Sequence, residues 1–566
     1  MSNIDWLVLG LTLGFIIVYG VWKSRGTNTM QGYLLADQKL PWYHVGLSVM
    51  ATQASAITFL SAPGQAYTDG MRFVQFYFGL PFAMIVLCIT FIPAFKKLNV
   101  YTAYEYLENR FDIKTRSLTA VLFLIQRGIS TGITIYAPAI ILSTILQVQL
   151  NYTIVIMGLL VIGYTVYGGT KAVSYTQLAQ MVIIFSGLFL AGYMVIHLLP
   201  ENVGWSEALH ISGKLDRTQV LDTEWNPDEK YNLWSGLIGG FFLQLSYFGT
   251  DQSQVGRYLT GSSIRQSRLG LLMNGIVKIP MQFMILMLGA LVLAFYQYYT
   301  PPIFFNQTAI EQIENTEYAD AFHYKENEFN AIQEEKQRVV ASYVEALHNN
   351  DEVKQESLGN QLKELDNSSK KIRNAAVALL KEHNDDVETN DSNYIFLNFV
   401  THHLPKGIIG LVIAIIFLAS MGSSASGLNS LASTSAVDFY KRFIKKEEDK
   451  ADVAVTRWLT IGWGVFCILV ALFASQLGNL IEAVNILGSL FYGTILGIFV
   501  VAFYLKKVSG NEVFIAAIIT EIVVYLLWYY DAVAYLWLNV IGCLLLVAIA
   551  LILQQLREQK LLDFGK

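Results

Sequence analysis

Thirteen apolar stretches, each near the ~20 residues that a membrane-spanning helix requires, punctuate this 566-residue chain. In chain order, segments one to thirteen run roughly over residues 4–22, 45–69, 73–95, 117–146, 151–168, 174–198, 232–250, 269–298, 406–433, 453–475, 480–505, 512–530 and 533–554. Hydrocarbon offers no partner to backbone N–H and C=O groups, so such a chain must fold as an all-α integral membrane bundle or a closed barrel, and runs this long dictate helices. Only 15% of the residues are charged, against about 25% in a soluble domain. The first stretch, IDWLVLGLTLGFIIVYGVW, has no basic leader and no small-residue cleavage site, so it reads as a retained span and not a signal peptide.

Orientation follows from the basic residues. Threaded from an outside N-terminus, the cytoplasmic loops collect Lys23, Arg25, Lys96, Lys97, Arg110, Lys114 and Arg116, and later Arg257, Arg265, Arg268, Lys441, Arg442, Lys445, Lys446, Lys506 and Lys507. The short opposite loops 147–150, 476–479 and 531–532 carry no Lys or Arg, and Arg72 is the exception. This positive-inside bias predicts a multi-pass protein of the plasma (cell inner) membrane, N-terminus outside and C-terminus cytoplasmic.

Residues 300–395 break the pattern, with nineteen Asp/Glu against nine Lys/Arg and no spanning stretch. Val339, Val340, Tyr343, Val344 and Leu347 share one helical face, and Leu358, Leu362, Leu365, Ile372, Ala376 and Leu380 share another. Asn349-Asn350-Asp351 reads as the turn of a helical hairpin with Asp351 as N-cap. The chain therefore divides into a first membrane part (1–299), an extracytoplasmic helical insert (300–395) and a second membrane part (396–566). A solvated hairpin that stiffens an external loop is the plain reading of the insert.

Segment two, GLSVMATQASAITFLSAPGQAYTDG over residues 46–70, is apolar enough to span, yet Ser, Thr, Gln, Gly and Pro interrupt it every few positions. Irregular backbone survives at membrane depth only where protein buries it or it lines a cavity, and an interrupted span among smooth ones points to a solute site. Segment nine ends in IIFLASMGSSASGLNSLAS, crowding small hydroxylated residues into positions 419–433. Such patterns also serve close helix packing. Loose carbonyls around residues 51–55, together with those hydroxyls, would make an all-oxygen site suited to a hard cation such as Na⁺. The chain has no GxxxxGK[ST] stretch, which disfavours a nucleotide-driven pump.

Four stretches, QLSYFGTDQSQVGRYL (244–259), MATQASAITFL (50–60), GGTKAVSYTQ (168–177) and SGLNS (426–430), resemble the sodium/solute symporter family. That family includes bacterial sodium/galactose and sialic-acid carriers and the mammalian glucose, iodide, vitamin and monocarboxylate carriers. The resemblance covers the chain apart from the insert. It implies a LeuT-like fold of two inverted five-helix repeats, segments two to six (45–198) and seven to eleven (232–505), with the solute near the midplane where segments two and seven unwind. It implies a sodium site from the carbonyls of Ala51, Ala54 and Ala419 and the hydroxyl of Ser423. Two departures stand out: Gly422 lacks the hydroxyl usual there, and Gln177 replaces an Asp that many members use for an additional sodium. Ala425 also lacks a hydroxyl, so one Na⁺ per cycle is expected.

For the solute, the sugar carriers' positions fall on Gln53, Thr58, Tyr77, Gln244, Lys278 and Val484. Tyr77 replaces an acid and Val484 an amide, which disfavours a hexose. Ser55 and Thr58 match the sialic-acid carriers, with Arg127 close to their Arg, and Tyr247 corresponds to the inner gate.

Arg127 and Lys278 also stand out on physical grounds. Each lies about 14–15 Å into its segment at ~1.5 Å per residue, where an ionised side chain costs at least ~2.5–3.5 kcal/mol and pairs with a partner. Glu482 and Glu521 fall near span ends or in peripheral helices, so no Asp or Glu is expected at that depth. An anionic solute would supply the missing charge, while pairing with backbone carbonyls or Gln and Ser groups is the structural alternative. The expected activity is import of a small polar, anionic solute with Na⁺ by alternating access, without enzymatic chemistry or nucleic-acid binding, and with a monomer as the working unit in the lipid bilayer. A neutral-solute symporter, a uniporter and a sensor retaining the carrier fold are the alternatives. Cys88, Cys467 and Cys543 are read as packing residues, His402-His403 as interfacial, and Trp528-Tyr529-Tyr530 as belt anchors.

Overall fold

The computed structural model describes residues 1–24, 29–314, 316–384, 389–444, 450–474 and 477–564. Arg25, Lys445 and Lys446 of the basic loops lie outside them. Every one of the thirteen segments falls on helix. Ten helices are long and apolar enough to span singly, and the bent pair Trp42–Gln53 and Ala56–Asp69 makes eleven. Two segments fall short of that length. Segment five is the helix Leu150–Val166, and segment seven consists of a π-turn, Ser235–Gly239, followed by Gly240–Thr250. Segments five and six form one helical run bent at Gly169, whose φ of +56° belongs to the left-handed region. A Cβ there would also meet the Tyr33 ring at 2.7 Å.

The break in segment two follows from its backbone pairing. Ala54 and Ser55 leave helical geometry, at ψ 90° and 175°, and the two halves bend by 61°. Ser55 N donates to Gln53 O (3.1 Å) and Thr58 N to Ser55 O (3.0 Å). The i−4 acceptors those two N–H groups would use in an unbroken helix are Ala51 O and Ala54 O. Both carbonyls are therefore left without a backbone donor.

The core helix Ile408–Thr434 is almost entirely buried and packs on Asn3–Ser24, Ile113–Leu146 and Leu150–His197. The helix Ile264–Phe295 packs along both halves of the broken segment, and Leu480–Tyr504 packs on Ile113–Leu146 and Gly240–Thr250. Lipid-type faces are apolar and exposed, as at Leu7, Leu11, Phe15 and Val18 of the first helix. The three cysteines are buried and free.

The insert is a helical hairpin, Ala319–His348 and Glu352–His383. Asn350 turns at φ +52°, and the Asp351 carboxylate caps the second helix by accepting from Lys354 N at 3.1 Å. Val340, Tyr343, Val344 and Leu362 are buried in the main core. Ile303, Phe304, Phe322, Phe329, Ala376 and Leu380 form a smaller core of their own. Lys363 Nζ donates to Asp216 at 3.0 Å, linking the hairpin to the turn after Trp205–Lys214.

Candidate solute and ion site

A cavity of about 90 Å³ lies at the break of segment two. That is room for a few waters or a small solute, since one water occupies roughly 10–15 Å³ on this measure. Gln53, Ser55 and Thr58 line it from the break, and Phe76 and Tyr77 from segment three. Segment four contributes Gln126, Arg127, Ser130 and Thr131, and the opposite wall is Tyr247, Val484, Asn485 and Tyr492. Ser423 reaches it from segment nine. Arg127 is the sole charged side chain on the described lining.

Of the residues expected to hold sodium, Ala51 and Ala54 stand at the break of segment two and Ala419 and Ser423 on segment nine. Next to the cavity the broken segment and segment nine touch directly, with Thr52 Oγ1 3.1 Å from Ser426 Oγ. Ser423 Oγ donates to Ala419 O (3.0 Å) and Ser420 O (3.1 Å). The donor-free carbonyls of Ala51 and Ala54 suit a hard cation, which takes oxygen ligands. The hydroxyl of Ser424 is buried with no hydrogen-bond partner among the described residues and does not line the cavity.

Where an additional sodium would need a carboxylate, Gln177 is fully engaged by neutral groups. Its Oε1 accepts from Ser48 Oγ at 2.6 Å, and its Nε2 donates to Thr52 Oγ1 (3.1 Å), Ser426 Oγ (2.9 Å) and Gly422 O (3.2 Å). A Cβ at position 422 would sit 2.6 Å from Gln180 Oε1, the end of a flexible side chain whose amide has no hydrogen-bond partner among the described residues.

The absence of a deep acid was an incorrect expectation. Asp251, 1% exposed, forms an ion pair with Arg127 and accepts from Tyr492 OH at 2.8 Å. It sits one residue beyond the predicted end of segment seven, where it breaks the helix and caps the next by accepting from Ser253 N at 2.8 Å. Arg127 extends toward it from inside segment four. The guanidinium keeps capacity to spare, because its Nε has no hydrogen-bond partner among the described residues. Tyr247 packs against this group. Arg127 lies 5.5 Å from its ring centroid, the Tyr492 ring 5.8 Å from it, and its hydroxyl accepts from Gln254 Nε2 at 2.7 Å.

Gln244 and Lys278 are not on the lining. Both are 0% exposed, and neither the Gln244 amide nor the Lys278 ammonium has a hydrogen-bond partner among the described residues. Lys278 Nζ stands 5.5 Å from the Tyr77 ring centroid, so Tyr77 stands between it and the cavity. Sequence reasoning missed Asp251, Tyr492, Gln126 and Asn485. The acid of GTDQ, abutting a helix end, was the one available signal.

The profile of the Sodium:solute symporter family matches residues 33–320 and 376–520, skipping most of the hairpin. The sodium/sialic acid symporter NanT of Aliivibrio fischeri is 25% identical over 97% of this chain and 92% of its own length. The sodium/glucose cotransporter of Vibrio parahaemolyticus is 26% identical over 92% and 84%. The human sodium-coupled monocarboxylate transporter 1 is 32% identical, but over only 47% of this chain and 43% of that protein. A solved substrate-bound, outward-open Na⁺-coupled sialic acid symporter superposes with a TM-score of 0.74 at 23% identity, covering 98% of both chains. The fold is thus that of the LeuT-like carriers, and the chain belongs to the sodium:solute symporter family.

Proposed function

We propose that this symporter imports a small organic anion with one Na⁺ per cycle by alternating access. The observation that carries the choice of an anion is the charge around the cavity. Arg127, paired with Asp251, is the sole charged side chain on the described lining, and its Nε has no hydrogen-bond partner among the described residues. The free Nε of Arg127 gives a carboxylate a donor without displacing Asp251. Hydroxyls and amides of Gln53, Ser55, Thr58 and Asn485 would orient the rest of the solute. Sodium would rest on the carbonyls of Ala51, Ala54 and Ala419 and the hydroxyl of Ser423, bracing the break so that the solute walls meet. Coupling is then reciprocal: sodium raises solute affinity by the factor that solute raises sodium affinity. The names of several relatives specify anions, including sialic acid, monocarboxylate and iodide, and others specify glucose and vitamins.

The Arg127–Asp251 pair also favours a second reading, a neutral solute in an electrically balanced cavity. Uptake into proteoliposomes separates the two. A monoanion moving with one Na⁺ carries no net charge, so an imposed membrane potential leaves its sodium-driven uptake unchanged. Acceleration by an inside-negative potential identifies a neutral solute, and uptake indifferent to a sodium gradient removes symport altogether.

A further inference from the structure

A second cavity, about 250 Å³, lies outside the membrane bundle where the hairpin meets the outer end of the broken segment. Four cations line it: Arg217, Lys336, Lys370 and Arg373. Lys336 and Lys370 share one carboxylate, Asp366, at 3.0 and 2.8 Å. Arg373 pairs with Asp391. Arg217 has no ion pair among the described residues and donates only to the carbonyls of Tyr67 (3.0 Å) and Leu215 (2.8 Å). The exposed carboxylate of Asp69 acts on Arg217 from the helix end. Counting it, four cations still face three acids.

Part of this positive charge is held away from water. Lys336 is 3% exposed, and burial lowers its ammonium pKa despite the opposing Asp366 charge. Burial works against the Asp366 carboxylate, yet the two lysines keep it below the usual carboxylate range. Four cations on the lining of one partly open cavity, with Asp366 the sole carboxylate on its described lining, describe a receptor for a small anion.

We propose that this cavity binds one small anion, a halide or a short carboxylate, and that the bound anion ties the hairpin to the outer end of the helix carrying Thr58. The site is distinct from the membrane cavity and independent of which solute is transported.

Equilibrium dialysis of the full-length protein with ³⁶Cl⁻ and ¹⁴C-acetate, in sodium-free buffer that leaves the sodium-dependent site unprimed, tests this. One saturable site per chain is expected, and the probe that displaces the other identifies the halide or the carboxylate as ligand. Lys370→Gln should weaken binding by about tenfold, the loss of one charge-assisted contact, and Lys370→Arg should restore it. Lys370 is about half exposed, so these exchanges leave packing intact. Asn374→Asp, placing an acid on the lining, should give the same loss by a second route. Lys363→Gln, paired with Asp216 and outside the cavity, should bind as wild type. Absence of saturable binding, full affinity in Lys370→Gln, equal weakening by Lys363→Gln, or loss of binding in Arg127→Gln each overturns the proposal.

Discussion

The cavity at the break of segment two and the helical hairpin both bury charge, but by opposite routes. In the cavity, Arg127 on segment four meets Asp251 at the end of segment seven, 124 residues later. The pair joins segment four to the end of segment seven at a buried position. In the hairpin, Lys336 meets Asp366 across two helices that are neighbours in sequence, with an exposed flank and a second lysine at hand. Where charges are paired locally and partly in water, one partner more or less changes little. Where they are paired across segments far apart in the chain, it decides whether those segments can meet.

The largest expected effect follows directly. Asp251→Asn strands the Arg127 guanidinium, and removing one partner of a buried pair costs ~3–5 kcal/mol. Thermal unfolding in detergent should show it, along with loss of uptake. The double variant with Arg127→Gln should unfold at a higher temperature than Asp251→Asn alone, because it removes the unpaired charge; additive losses would mean the two side chains do not interact. Next is the hairpin core. Leu362→Ala, at a fully buried position, should cost ~2–5 kcal/mol while leaving the sodium dependence of uptake unchanged. A shift in sodium dependence would show that the two regions are coupled.

Gly422→Ser restores the hydroxyl usual in the family but drives a side chain toward Gln180 Oε1. A cost of ~1–3 kcal/mol is expected for such overpacking, read as a lower melting temperature in sodium-free buffer. If the variant instead gains sodium affinity at no cost, Gln180 yields and the glycine is not sterically required. The smallest effect belongs to the hairpin turn: Asp351→Ala removes one cap, worth about 1 kcal/mol, and should be visible only as faster local hydrogen exchange at Lys354.

The two regions also differ in how much of them could be read from sequence. The hairpin turn at Asn349-Asn350-Asp351 and its apolar faces follow from helical period and a cap, which are local rules. The break at Ala54 and Ser55 was legible for the same reason, since interruptions of an apolar run are counted along one segment. The pair Arg127–Asp251 was not, because it depends on which segment ends come together. Asp251 lies one residue past an apolar boundary, where hydropathy places a loop and the fold places a buried helix break. Lys278 and Gln244, expected among the solute-binding residues, lie buried off the lining with Tyr77 against Lys278, a matter of side-chain packing that spacing does not encode. The thirteen segments are all helical, while segments five and seven are too short to count as spans by length, because bends and breaks interrupt them.

Binding of ²²Na⁺ to the purified full-length protein tests the ion cradle most directly, measured with and without Ser423→Ala. One sodium per chain is expected, with affinity about tenfold weaker in the variant, the worth of one ligand to a charged group. Two ions per chain, or an unchanged affinity in Ser423→Ala, would contradict a single site built on the break of segment two and the hydroxyl of segment nine.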